Sequence, residues 1–142
     1  MHLIDRYGRC SIDLEYLIDD SSDYDSFSFS ASIDIGHGLF KAANNDIHFL
    51  NLPTFVAQLE SFVRDRMPQP RLDGTYNSYL ELSGTPSSAT IHFRIGDAFS
   101  GYTDVNTQYS FTGAFDVEPD QLFPMLDQFR GLLESWRRLN PT

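Results

Sequence analysis

Four histidines, one cysteine and twenty carboxylates are the groups in this chain best suited to chemistry. A helical metal chelate needs ligands three or four residues apart. His2, His37, His48 and His92 are all spaced more widely than that. Cys10 stands alone, which removes a disulfide framework and argues against a cysteine-based zinc site. The chain has no nucleophile elbow, phosphate loop, dinucleotide fingerprint or HExxH pair. Gly36-His37-Gly38 and Gly96-Asp97 read as turns. The densest acids, Asp19, Asp20, Asp23 and Asp25, sit in a Ser-rich stretch with Tyr24. A calcium loop of the EF-hand kind needs Gly at its sixth position and Glu at its twelfth. Counted from Asp19, those positions hold Tyr24 and Ser30. The acids therefore read as a solvated or partner-facing loop, and no catalytic, metal or cofactor-binding residue is assigned.

Charge supplies the other functional constraint. The formal net charge is −10, and residues 1–50 hold nine acids against three bases. Such a field repels nucleic-acid phosphates and anionic lipid, and it speeds encounter with a basic protein. Asp13, Glu15, Asp19, Asp20, Asp23, Tyr24 and Asp25 form the candidate partner-binding set: carboxylates to meet bases and a tyrosine to anchor the contact.

Elements must position those residues. Residues 9–18 alternate, with Ile12, Leu14 and Tyr16 on one face and Asp13 and Glu15 on the other, the period of a half-buried strand. Phe27, Phe29, Ala31, Ile33 and Ile35 alternate with Ser28, Ser30, Ser32 and Asp34 in the clearest strand of the chain. After the glycine turn, residues 39–42 read as a returning strand. A helix is expected from Asn51 or Leu52, with Pro53 in its first turn and a stripe of Leu52, Phe55, Val56, Leu59, Phe62 and Val63. Further strands are expected at 76–83, where Tyr79, Leu80 and Leu82 are the apolar residues, at 89–95 and at 108–115. The last helix is expected over 119–138, with Leu122, Leu126, Phe129 and Leu133 in its stripe. Pro124 requires either that its regular part start near Gln121 or that its first turn be distorted.

The order strands, helix, strands, helix predicts an α+β domain. A single antiparallel sheet is expected, with both amphipathic helices on one face and Ser, Thr, Asp, His and Arg on the other. One chain of 142 residues without a linker reads as a single domain. With no signal peptide and no apolar run of about 20 residues, it reads as soluble and cytoplasmic.

One resemblance bears on function. Ile47-x-Phe49-x-Asn51-Leu52-Pro53-x-Phe55-x-x-Gln58-Leu59-x-x-Phe62 leads to Tyr79-Leu80-Glu81-Leu82 and Ile91-x-Phe93-x-Ile95. Tyr109-x-Phe111-x-Gly113-x-Phe115 and a closing Leu122-x-x-x-Leu126-x-x-Phe129 helix follow. From Phe27 to Leu133 this layout resembles the WapI-type bacterial immunity proteins. The resemblance implies a small non-enzymatic cytoplasmic protein that binds and neutralises a toxin domain, without cofactor, and transfers no site residue. Many toxin domains are basic, which would suit an acidic partner. The alternatives are a self-associating module, with a homodimer as its simplest form, and a small-ligand binder or enzyme with a pocket between sheet and helices.

Overall fold

The computed structural model describes residues 1–17, 26–99 and 108–140. The class is α+β, as the sequence predicts, but the strands form two sheets where one was expected. The first holds β1 (His2–Ile4), β2 (Cys10–Leu17), β3 (Ser26–Asp34) and β4 (Leu39–Ile47). Helix α1 (Leu52–Asp65) follows. The second sheet holds β5 (Arg71–Asp73), β6 (Tyr79–Thr85), β7 (Ser88–Phe99) and β8 (Gln108–Val117), and α2 (Leu122–Leu139) closes the chain. Each sheet is an antiparallel meander in which consecutive strands are neighbours. Alternation reveals which way side chains face but not which strands pair, so the division between β4 and β5 was illegible. The strands β1 and β5 also went unread, since three residues are too few to show a period.

Each helix forms where its apolar stripe predicts. Leu52, Phe55, Val56, Leu59, Phe62 and Val63 of α1 are buried. Two of its last four carbonyls are taken by one residue: the Arg66 amide donates to Phe62 O, and its guanidinium Nη1 donates to Phe62 O and Val63 O at 3.1 and 2.7 Å. In α2, Leu122, Met125, Leu126, Phe129 and Leu133 are buried, with Leu132 and Trp136 packed at the edge. A single 3-10 turn at Pro119–Gln121 precedes it. Pro124 thus sits in the first turn of the regular helix, where no intrahelical partner for its nitrogen is needed.

One core joins both sheets and both helices. Phe55 of α1 meets Phe129 of α2 edge-on at 4.8 Å. Ile12, Leu14, Phe27 and Phe29 enter from the first sheet, and Leu80, Leu82, Ile91 and Phe93 from the second. Gly113 leaves room for the Phe93 ring: a Cβ there would lie 2.8 Å from Phe93 Cζ. The sheets touch where β3 and β4 lie against β7. Between β4 and β5 the chain is held by Asn51, whose side-chain amide donates to Arg71 O and accepts from Asp73 N, both at 2.8 Å. Among the described residues no helix is long and apolar enough to cross a membrane.

Candidate functional site

The strand period places Asp13 and Glu15 on the outer face of the first sheet, two positions apart on β2 and both exposed. The register sets Asp13 between His2 and Ser30, and Glu15 beside Ser28. The Asp13 carboxylate meets His2 Nδ1 at 2.6 Å. Glu15 has no hydrogen bond or ion pair among the described residues. Around them lies a bed of hydroxyls: Ser11 and Ser32 are 3.0 Å apart across the strands, and Ser28 donates to Asn45 Oδ1 at 2.8 Å. Asp34 continues the face and accepts the Gly36 amide, and Lys41 on β4 is its basic counterpart. Of the rest of the proposed set, Asp19, Asp20, Asp23, Tyr24 and Asp25 lie outside the described residues.

The outer face of the second sheet is constructed differently. Arg71 on β5 donates to Asp73 Oδ1 at 2.8 Å and to Glu81 Oε2 at 2.9 Å, with its guanidinium 4.1 Å above the Tyr79 ring. Both carboxylates push the Arg71 pKa further up, the hydrogen bond to Asp73 most. Ser83 Oγ lies 3.1 Å from His92 Nε2, and Thr90 donates to Asp116 Oδ1 at 2.8 Å. Arg94 Nη1 donates to Asn77 O at 3.1 Å. A cleft of about 520 Å³ opens beside Leu50, Asn51, Arg71, Tyr79 and Arg94. Arg71 there is taken up by Asp73 and Glu81, and Arg94 donates to the Asn77 carbonyl.

Tyr79 corrects the sequence reading. It was grouped with Leu80 and Leu82 as apolar, but adjacent residues on a strand face opposite ways. Leu80 and Leu82 are buried, and Tyr79 is turned outward under Arg71. The aromatic ring followed two residues later by Glu81, and facing a base, was the available signal; it depended on the unread strand β5.

The histidines do not converge. His2 belongs to β1, His37 to the β3–β4 turn and His92 to the outer face of β7. His48 Nε2 lies 3.5 Å from Asp46 Oδ1, and the same carboxylate accepts the Tyr76 hydroxyl at 2.6 Å. Tyr76 is thus tied to Asp46. Tyr7 in the β1–β2 turn is 76% exposed. Among the described residues no three His, Cys, Asp or Glu side chains are grouped to hold a metal ion. Cys10 is buried, and that burial pushes its thiol up to about 11, with Asp5 adding to the effect. A thiol so placed is neutral at pH 7.

The chain matches no family model, no curated protein and no solved structure. Geometry and charge therefore carry the functional argument, and they favour the outer face of the first sheet over the internally paired face of the second.

Proposed function

We propose that the chain is a non-enzymatic binding protein of the cytoplasm that neutralises a basic toxin domain by docking the acidic outer face of its first sheet onto it. The observation that carries this reading is the contrast in how charge is used. Several bases elsewhere pair with acids of the chain, as in Arg6 with Glu118, Arg71 with Asp73 and Glu81, Arg130 with Glu60 and Arg138 with Glu134. Asp13 and Glu15 stand exposed on a strand of the packed sheet, Asp13 bonded to His2 and Glu15 with no hydrogen bond or ion pair among the described residues. A strand on a packed sheet is a good platform for such groups, because little side-chain and backbone freedom remains to be lost on binding. The layout shared with the WapI-type immunity proteins points to the same class of partner.

The test uses any toxin domain found encoded beside this chain's gene, inactivated at its own catalytic residue. The two proteins should form a one-to-one complex that weakens steeply between low and high salt, and Asp13→Asn with Glu15→Gln should flatten that dependence. A complex indifferent to both salt and the two substitutions would remove the electrostatic account, and no complex at all would remove the toxin reading.

A further inference from the structure

The acidic face of the first sheet holds a titratable group of its own. His2 on β1 stands directly opposite Asp13 on β2, and its Nδ1 lies 2.6 Å from Asp13 Oδ1. The strand that carries it is tied down on both sides of the ring. The Met1 amino group donates to Leu14 O at 2.6 Å, Leu14 N donates to Met1 O at 2.9 Å, and Leu3 is buried in the core. The imidazole is therefore held in register over its carboxylate, yet both side chains are more than half exposed and open to a partner. Few other charges bear on the ring. On β2 the next acid of the same face is Glu15, and the nearest charge on β1 is the Met1 ammonium. Across the groove between β1 and α2, His2 meets Gln121, Pro124, Met125 and Gln128, all uncharged. At the far end of β1, Arg6 is matched by Glu118, and Asp5 accepts the Arg9 amide.

We propose that His2 is a proton gate on this face: as an imidazolium it cancels the Asp13 charge and holds a basic partner off, and loss of its proton releases the carboxylate to that partner. The inference rests on the acidic face being the docking surface and adds its regulation. Histidine changes charge between about pH 5 and 8, a window in which carboxylates as a class stay ionised. In the neutral ring the Nδ1–H tautomer still donates to Asp13, so the carboxylate keeps its full charge and has its second oxygen to offer a base. In the charged ring the pair is neutral, and only Glu15 is left to attract. A partner's base arriving at Asp13 repels the imidazolium and drives its proton off. Binding thus releases a proton, and by linkage affinity rises with pH across the window. The gate is shallow, because an exposed pair changes an equilibrium by only about two- to fivefold. His92, on the outer face of the second sheet beside Ser83, lies outside the gate and serves as an internal reference.

An oligolysine peptide is the basic probe, and NMR titration of the intact protein reads the ring and the carboxylates separately. With the probe saturating, the midpoint of the His2 ring should move to lower pH by about 0.3–0.7 unit, the same two- to fivefold. The His92 midpoint should move much less. Asp13→Asn should abolish the difference between the two rings. His2→Gln keeps a donor for Asp13 but no titrating charge, and should remove a two- to fivefold share of the rise in probe affinity with pH. A probe that perturbs the Asp13 and Glu15 signals while the His2 midpoint moves no further than that of His92 overturns the gate and leaves the docking face standing. So does a His2 shift that survives Asp13→Asn. A probe that leaves both carboxylates unperturbed at every pH overturns the face as a site for bases, and the gate with it.

Discussion

The two halves of the molecule share a plan, a four-stranded meander followed by an amphipathic helix, and differ in what their outer faces do with charge. In the second sheet, Arg71 holds two carboxylates and a tyrosine ring, and His92 and Asp116 have hydroxyl partners. In the first sheet the hydroxyls bond chiefly with one another and with Asn45, leaving the acids to solvent or to His2. The strand pattern dictates the scaffold in both cases. Cross-strand pairing then decides whether a polar face is consumed internally or left to a partner. A fold can therefore be made twice from similar periodicities while the two copies differ in how far the charge on their outer faces is paired internally.

The largest expected effects test whether the halves share one core or have one each. Phe29 and Phe93 are both fully buried, in the first and second sheets respectively. Removing either ring should cost about 3–5 kcal/mol, through lost burial and the cavity left behind. If the core is continuous, Phe29→Ala and Phe93→Ala should each produce a single unfolding transition, with both halves melting together. Two separate transitions, in which Phe29→Ala moves only the first, would show that the sheets are independent units and would recast the comparison as one between domains.

A smaller effect separates the halves by pH. The buried thiol of Cys10 belongs to the first sheet, whereas the buried hydroxyl Ser78, bonded to Gly96 O and N, belongs to the second and does not titrate in this range. In the unfolded chain the thiol ionises near 9, and in the folded protein at about 11. Folding therefore favours the protonated form, and the associated stability is complete below pH 9 and lost as pH rises toward 11. The sign follows from linkage: above pH 9 the unfolded state binds fewer protons, so raising pH favours it. Two pKa units correspond to about 2–3 kcal/mol. Denaturant melts of the wild type and of Cys10→Ala should thus diverge between pH 9 and 11, with the wild type falling faster. Parallel decline would show that Cys10 is not desolvated as its burial implies.

Much of this comparison was legible in the sequence, but unevenly. Both helices, the long strands and the inward sets at 27–33 and 89–95 follow from period alone, because a residue's face is a local property. Pairing is not local. Nothing in residues 71–73 announces a strand, yet Arg71 there ties together Asp73, Tyr79 and Glu81 on the outer face of the second sheet. Ile35 shows the opposite failure: its alternation is perfect, and period alone would bury it. Burial depends on whether another element reaches that far along the strand, and none of the described ones covers Ile35 and Phe40. The acidic face was readable as a charge bias from Asp13 and Glu15, but its contrast with a self-neutralised second face required the register.

The smallest effects on stability bear most directly on that contrast. Arg71→Ala should cost roughly 1 kcal/mol, the modest value expected of half-exposed ion pairs, and should free Asp73 and Glu81 to solvent. Asp13→Asn together with Glu15→Gln should leave the melting curve within about 0.5 kcal/mol of the wild type, because neither carboxylate supports a buried group. If the two faces have the roles argued for them, the substitutions should cross over in a binding assay against the basic toxin domain. The silent pair in the first sheet should lower the association rate and flatten its salt dependence, while Arg71→Ala, costlier to the fold, should leave both nearly unchanged. Equal effects from the two sets would mean that only net charge matters. A larger effect from Arg71→Ala would move the recognition surface to the second sheet, with Arg71 and Tyr79 at its centre.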